Sequence, residues 1–431
     1  MTGNPAADFF LAIAIALGAA RAFGAAARRI GQPAVVGEIC AGILASPMVL
    51  SASVSEALIP SSVKPLLSAL ANVGLATFMF IIGYELDGSF LRRGQSAALK
   101  LAAGSVLIPF AGGVAVAVPL AATYAPGSRT AFCLFVGIAM SVTAFPVLAR
   151  ILADRGLNRQ PIGGLALAAA AIGDLVAWVC LAGVIAFAGV SGQWRVALLP
   201  IYLLVMVTAV RPLLARALRA ADRRGTPSTT LLPALVVVLM LSCSATEWLG
   251  IHFIFGAFTF GAMMPKSALE HMRIRVIEQM EHAGLILLPL YFIVAGTKVN
   301  LDGFDAAMLG TLLAVIAVAI GTKGVGAYAG ARLSGLPHSD ALPLSVLMNT
   351  RGLTEVVIVA VALDLGLIDG NFYSMMVVMA VLTTAMTGPL LKLVGAGGHD
   401  SRAAAPSGAV ETAVTRRPVD EIAQKAPART E

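Results

Sequence analysis

Charge is what this sequence has least of. Only 12% of its 431 residues are Asp, Glu, Lys or Arg, about half of the ~25% usual in soluble domains. With 58% hydrophobic residues and a mean hydropathy of +0.88, a soluble globular chain is excluded and a membrane protein remains. Cysteine is scarce as well. Cys40, Cys133, Cys180 and Cys243 lie far apart with no C-x-x-C pair, which reads as small buried hydrophobes and not as a disulfide or metal framework. The histidines His252, His271, His282, His338 and His399 show no metal-ligand spacing and no nucleophile–base pair is visible, so neither an enzyme nor a cofactor is expected. Long polar intervals are missing before residue 396, which leaves no room for a separate soluble domain there. No basic flank precedes the first apolar run, so that run is expected to span the membrane and not to be a cleaved leader.

What the sequence does have is a train of apolar runs long enough to cross ~30 Å of hydrocarbon as helices. Polar and Pro/Gly-rich breaks divide it into about thirteen spans: 8–28, 34–50, 64–86, 97–122, 130–152, 161–189, 195–216, 231–249, 252–264, 280–299, 305–333, 341–365 and 372–395. The loops test this count, because basic residues collect on the cytoplasmic side. Odd-numbered loops and their edges hold Arg28, Arg29, Arg92, Arg93, Lys100, Arg150, Arg155, Arg159, Arg211, Arg216, Arg219, Arg223, Arg224, Lys266, Arg273, Arg275 and Arg332. Even-numbered loops hold only Lys64, Arg129, Arg195 and Lys298. The bias predicts an external N-terminus and a cytoplasmic C-terminus, and it accounts for the net charge of +7 without a nucleic-acid partner. Residues 1–395 thus form the membrane domain. Residues 396–431, rich in Ala, Pro, Ser, Thr and charge, read as a disordered cytoplasmic tail.

Charges placed inside spans are the informative ones, since each costs at least ~2.5–3.5 kcal/mol at mid-membrane. They are Glu38, Asp174, Lys323, Arg351, Glu355 and Asp364, with Arg21, Glu85, Asp87 and Glu247 nearer a boundary. Asp174 stands within "LALAAAAIGDLVAWVCLAGVIAFAG", with only small and apolar residues for nearly a turn on either side. Nothing close by in its own helix can neutralise it. A carboxylate so placed can hold either a proton or a small cation; the plainer alternative is a neutral acid hydrogen-bonded across helices. Glu38 and Glu85 lie close enough to polar ends to be membrane-edge residues. The small residues Gly37, Ala41, Gly42 and Ala45 around Glu38 suit close helix packing.

Two segments read as interrupted helices. "SVTAFPVLARIL" from Ser141 places Pro146 inside an apolar run, which would free the carbonyl of Val142 one turn earlier, beside the Thr143 hydroxyl. "MNTRGLTEVVIV" from Met348 sets Asn349, Thr350, Arg351, Gly352, Thr354 and Glu355 in another apolar span. Broken backbone at membrane depth is tolerated only inside protein or beside a watery cavity, and a pair of breaks, one per half, points to a secondary transporter of inverted repeats. Lys323 lies too deep in its span to snorkel. It is expected to pair with a carbonyl freed at a break, with Asp174 or with Glu355. Arg351 and Glu355, four apart, are placed for a local ion pair or a direct transport role.

Taken in order, "GEICAGILASP", "FMFIIGYELD", "SVTAFPVLARILADRGL", "AAAAIGDLVAW", "FIFGAFTFGAMMP", "LPLYFIVAGTKVNL" and "MNTRGLTEVVIVAVALDLGLI" resemble segments of the monovalent cation:proton antiporters of the second family. The resemblance implies an all-α polytopic fold of about thirteen transmembrane helices. It further implies two inverted five-helix repeats with crossed discontinuous helices, a mobile core domain and a domain that forms a homodimer. Carried over by residue, it puts the crossing at Thr143 to Pro146 and Asn349 to Gly352, and makes Asp174 the carrier of the transported Na+ or K+ and of the proton. Lys323 falls where members have a basic residue. Gly173 departs from the family, many of whose members have a carboxylate or amide before the aspartate, and the lone carboxylate favours electroneutral one-for-one exchange.

The expected function is therefore Na+ or K+/proton exchange across the cell membrane, with cation and proton competing for Asp174. Thr143 and Asn349 are expected to lend oxygens. Lys323, Arg351, Glu355, Pro146, Gly352 and Ser141 are expected to build the breaks and balance their charge. The rival readings are a sodium-coupled organic-anion symporter, which would rest on Lys323 and Arg351, and a cation channel.

Overall fold

A computed structural model describes residues 4–394 except 47–48, 86–94, 155–156, 158–159, 189–194, 196–197, 225–227, 266–269 and 301–304. The expected tail at 396–431 and Asp87 lie outside the described residues, within which all regular structure is helical. The first half holds α1 (Pro5–Arg29), α2 (Ala34–Leu44), α3 (Ala52–Leu58), α4 (Lys64–Glu85), α5 (Gln95–Tyr124), α6 (Arg129–Ser141), α7 (Phe145–Asp154) and α8 (Pro161–Ala188). Next comes α9 (Leu199–Val205), which passes through a π turn (Met206–Val210) into α10 (Arg211–Arg223), and then α11 (Ser228–Leu249). The second half continues with α12 (Phe253–Met263), α13 (Glu270–Thr297), α14 (Ala306–Leu333), α15 (His338–Met348), α16 (Leu353–Asp364) and α17 (Gly370–Leu393).

Nine of these helical runs are long and apolar enough to cross a membrane. Adding the short apolar helices α2 and α12 and the broken pairs α6–α7 and α15–α16 gives thirteen segments among the described residues. Large apolar side chains on the outside, such as Leu107, Val179, Phe187 and Leu241, each more than 60% exposed, suit contact with lipid, not water. The molecule is an integral membrane protein.

Three boundaries differ from the sequence reading by six residues or more, the largest being the start of α13 at Glu270 and not near 280, where a charged stretch hides the helix from the apolar pattern. Helix α2 stops at Leu44, not near residue 50, in keeping with Pro47 in the sequence, which can donate no N–H to the helical ladder and disfavours helical geometry in the residue before it. The seventh segment runs on to Arg223. Its arginines ended the apolar pattern without ending the helix. Elsewhere helices start where a side chain takes up a free N–H: Asp305 for Met308 at 2.7 Å, Asp369 for Phe372 at 2.8 Å, and Glu247 for Phe253 at 2.7 Å. Each such cap contributes about 1 kcal/mol.

The order short, long, long, broken, long occurs twice, as α2, α4, α5, α6–α7, α8 and again as α12, α13, α14, α15–α16, α17. Equivalent segments are seven crossings apart, an odd number, so they run in opposite directions through the membrane. Helix packing sorts the chain into two groups, one of α5–α8 with α14–α17, the other of α1, α2, α4 and α9–α13; α17 against α2 is the main packing between them. Glycines allow the closest approaches. A Cβ on Gly42 of α2 would lie 2.9 Å from the Cα of Gly296 in α13, a distance that only bare backbone permits. The equivalent contact between α12 and α4 uses Gly261 and Gly83 in the same way.

Candidate functional site

The two broken segments meet each other at their breaks. Helix α6 ends at Ser141, and Val142 turns to an extended conformation with φ −68° and ψ 143°. The N–H of Ala144 then donates to the carbonyl of Thr350 at 3.0 Å. The Thr143 hydroxyl donates to the carbonyl of Met348, the last residue of α15, at 2.9 Å. Each break thus supplies partners for backbone groups that the other leaves without helical ones, as burial requires. On the second strand Gly352 has φ 126° and ψ −107°, a region closed to residues with a Cβ. Its role is conformational. Pro146 differs from expectation. It lies at the second position of α7, where its missing N–H is harmless, so it begins a helix and the break lies upstream of it.

Every charged group of the sequence reading at this depth except Glu38 and Asp364 falls around the crossing. Lys323 of α14, fully buried, donates to the carbonyls of Ser105 at 2.8 Å and of Ser141. Of its three expected partners it takes the carbonyl at a break, and no ion pair joins it to Asp174 among the described residues. Arg351, also fully buried, donates to the carbonyls of Met140 at 2.7 Å, Ala139 at 3.3 Å and Ala319 at 3.3 Å, and pairs with Glu355 at 3.2 Å. The last three carbonyls of α6 therefore all accept from cations. That is the arrangement favoured by the negative end of a helix dipole. Glu355 sits in the first turn of α16, at a positive end, and is fully buried.

Asp174 occupies the middle of α8 and is 2% exposed, roughly 20 Å from either end of the helix at 1.5 Å per residue. The N–H of Phe145, first residue of α7, faces its carboxylate, yet neither oxygen closes a hydrogen bond within normal geometry among the described residues. Asn349 Oδ1, Thr350 Oγ1 and Glu355 Oε2 are likewise buried without a partner. Oxygen acceptors of this kind suit a small hard cation or a proton. The C-terminus of α15 is the one half-helix end at the crossing with no charged partner among the described residues; its last carbonyl accepts from a neutral hydroxyl. Thr143 keeps only lone pairs to offer a cation, its proton being directed at Met348.

The remaining candidates lie elsewhere. Asp364 pairs with Lys298 at 2.7 Å in an exposed setting, Glu247 caps α12, and Glu38 is half-buried near Gly24 of α1. Sequence reasoning missed Ser105, whose carbonyl receives Lys323, and Trp178, one turn beyond Asp174 and 1% exposed. A lone serine in an apolar span carries little signal; a tryptophan four residues from the buried aspartate carried more.

Residues 13–396 match the family model described as "Sodium/hydrogen exchanger, transmembrane". The chain is 36% identical over 399 residues to a Synechocystis protein named Na(+)/H(+) antiporter NhaS4, covering 90% of this chain and 97% of that one. It is 32% identical over 386 residues to K(+)/H(+) antiporter 1 of Saccharomyces cerevisiae, covering 84% of this chain and 43% of the yeast protein, so it spans less than half of that relative. Among solved structures, the sodium proton antiporter MjNhaP1 from Methanocaldococcus jannaschii superposes with a TM-score of 0.66, over 90% of this chain and 97% of that one. At 14% identity that likeness concerns the fold.

Proposed function

The chain belongs to the family of transmembrane sodium/hydrogen exchangers, and from that premise we propose that it exchanges Na+ or K+ for protons with Asp174 as the shared binding site. One observation carries the assignment of the site. A buried carboxylate at mid-span has no hydrogen-bond partner among the described residues, so its charge must be offset by what it binds. A proton does this, and so does a dehydrated monovalent cation. Oxygens of Asn349, Thr350 and Thr143, beside the uncharged carbonyl end of α15, supply the further ligands.

Because both ligands cannot sit on Asp174 together, release of one on either side of the membrane is the condition for binding the other. The group of α5–α8 and α14–α17 carries the site, and its movement against the second group alternates access. Lys323 and Arg351 act as fixed caps on α6, and Glu355 answers Arg351. With Asp174 the one carboxylate at the crossing that no cation pairs among the described residues, Glu355 being paired with Arg351, each passage carries one proton or one monovalent cation, which makes the cycle electroneutral. Two copies associate through the second group in the cell membrane. The N-terminus lies outside and the C-terminus in the cytoplasm, as the loop charges favour. An organic-anion symporter would need Lys323 and Arg351 free to meet a carboxylate, but both are engaged with carbonyls and Glu355.

The test is exchange in proteoliposomes with Na+, K+ and Li+, read by a pH-sensitive dye with the potential clamped. Asp174→Asn keeps the shape and loses the charge, and is expected to abolish cation-dependent dissipation of the pH gradient. Exchange retained by this variant removes Asp174 from the mechanism.

A further inference from the structure

The links between the two helix groups are uneven, and most of those found gather at one end. Lys298, just past the end of α13, pairs with Asp364 at the end of α16 at 2.7 Å. The Tyr373 hydroxyl of α17 donates to the carbonyl of Ala295 in α13 at 2.7 Å, and the N–H of Asn300 donates to the hydroxyl of Ser374 at 2.9 Å. At the opposite end the corresponding link among the described residues is Gln32 Nε2 to the carbonyl of Ala385 at 3.0 Å. Because successive segments alternate in direction, the ends of α8, α13 and α16 lie on the same side. One turn from Asp174 toward that side, Trp178 of the first group meets Phe255 of α12 edge-on, with ring centroids 6.0 Å apart. An aromatic layer and then a polar layer therefore separate Asp174 from this end.

The geometry points to a clasp, made by Lys298–Asp364, Tyr373–Ala295 and Asn300–Ser374, that closes one side of the transporter and must part for Asp174 to be reached from there. This rests on the alternating-access reading above. Each link is weak enough to break in every cycle. The ion pair, with side chains 33% and 53% exposed, biases the closed state about two- to five-fold. The buried tyrosine hydrogen bond biases it about five-fold. The clasp positions the two groups and does not touch the transported ion.

Two measurements test it. In proteoliposomes the pair Lys298→Cys and Asp364→Cys, joined by a short bifunctional thiol reagent with a reducible linkage, because a lysine's length separates the two backbones, is expected to lose exchange at least ten-fold and to regain it on reduction, with each single cysteine variant as control. Equilibrium binding of radioactive Na+ or K+ to the joined protein in detergent is expected to persist, because the link leaves the other side free to part. Exchange at the wild-type rate in the joined protein overturns the clasp, as does loss of cation binding, which would mark these residues as merely structural. The second variant, Tyr373→Phe, keeps the ring. It is expected to shift about five-fold the ratio of apparent cation KM values measured from the two membrane faces, in everted and right-side-out vesicles; an unchanged ratio also overturns the clasp. Absence of exchange in the unmodified protein would instead refute the antiport reading itself.

Discussion

Removing Arg351 should do more harm than removing the charge it pairs with, and the margin follows from the contacts. Arg351→Met preserves an unbranched apolar stem but deletes donors to the carbonyls of Ala139, Met140 and Ala319 and leaves Glu355 buried without a counter-charge. Breaking a buried pair from one side in this way costs about 3–5 kcal/mol. Glu355→Gln is milder. Arg351 keeps its three carbonyls, and the amide oxygen of glutamine still accepts, so the loss is the difference between a charged and a neutral hydrogen bond, about 1 kcal/mol. In the double variant no charge is left bare, and it should be more stable than Arg351→Met alone by about 1–2 kcal/mol, a non-additive result for residues in contact. The assay is the temperature at which purified protein in detergent loses its monodisperse chromatographic peak. A larger loss for Glu355→Gln than for Arg351→Met, or strict additivity in the double variant, would refute the reasoning.

Gly352→Ala isolates backbone conformation, because the added Cβ would meet nothing closer than Thr384 Oγ1 at 3.5 Å. It should cost about 1–3 kcal/mol and impair exchange, whereas Gly310→Ala, in helix α14 with open space around it, should be neutral in the same thermal assay; equal effects would show that φ 126° is not the constraint. Gly42→Val tests close packing. With its Cβ 2.9 Å from the Cα of Gly296, α2 and α13 must part, at about 1–3 kcal/mol or more, seen as a lowered melting temperature, and a wild-type melt would contradict the close approach. Proton competition at Asp174 sets the sign of the pH dependence: acidification should raise the apparent KM for the cation, by up to about ten-fold per pH unit while the carboxyl is mainly protonated, and alkalisation should lower it to a plateau. A KM constant from acid to alkaline pH would argue against a shared site.

The thirteen segments were legible because each apolar run must exceed a fixed length and because loop charge checks the parity of the count. The breaks were legible as polar residues inside apolar runs. Their exact course was not. Pro146 attracted the break in the sequence reading, yet the chain leaves the helix at Val142 because the extended strand gains Thr350 and Met348 as partners, an interaction across 205 residues that local pattern cannot carry. Lys323 shows the same limit. Its depth demanded a partner, but the choice of the carbonyls of Ser105 and Ser141 depends on how α5, α6 and α14 pack. Arg351 and Glu355, four apart on one chain segment, were within reach of local reasoning; the three carbonyls that complete the arginine's shell were not.

The hydrogen bond from Thr143 to Met348 also bears on biogenesis. The donor is made 205 residues before its acceptor, which at ribosomal speeds of ~5–20 residues per second is an interval of about 10–40 s. During that time the first break has entered the insertion machinery and the second does not yet exist. Until Met348 and Thr350 are made, the polar groups at 143–144 lack the partners they have in the folded chain, at about 1–3 kcal/mol each if left bare in an apolar setting. The two breaks can therefore complete each other only late in synthesis, once residues 348–350 have been made.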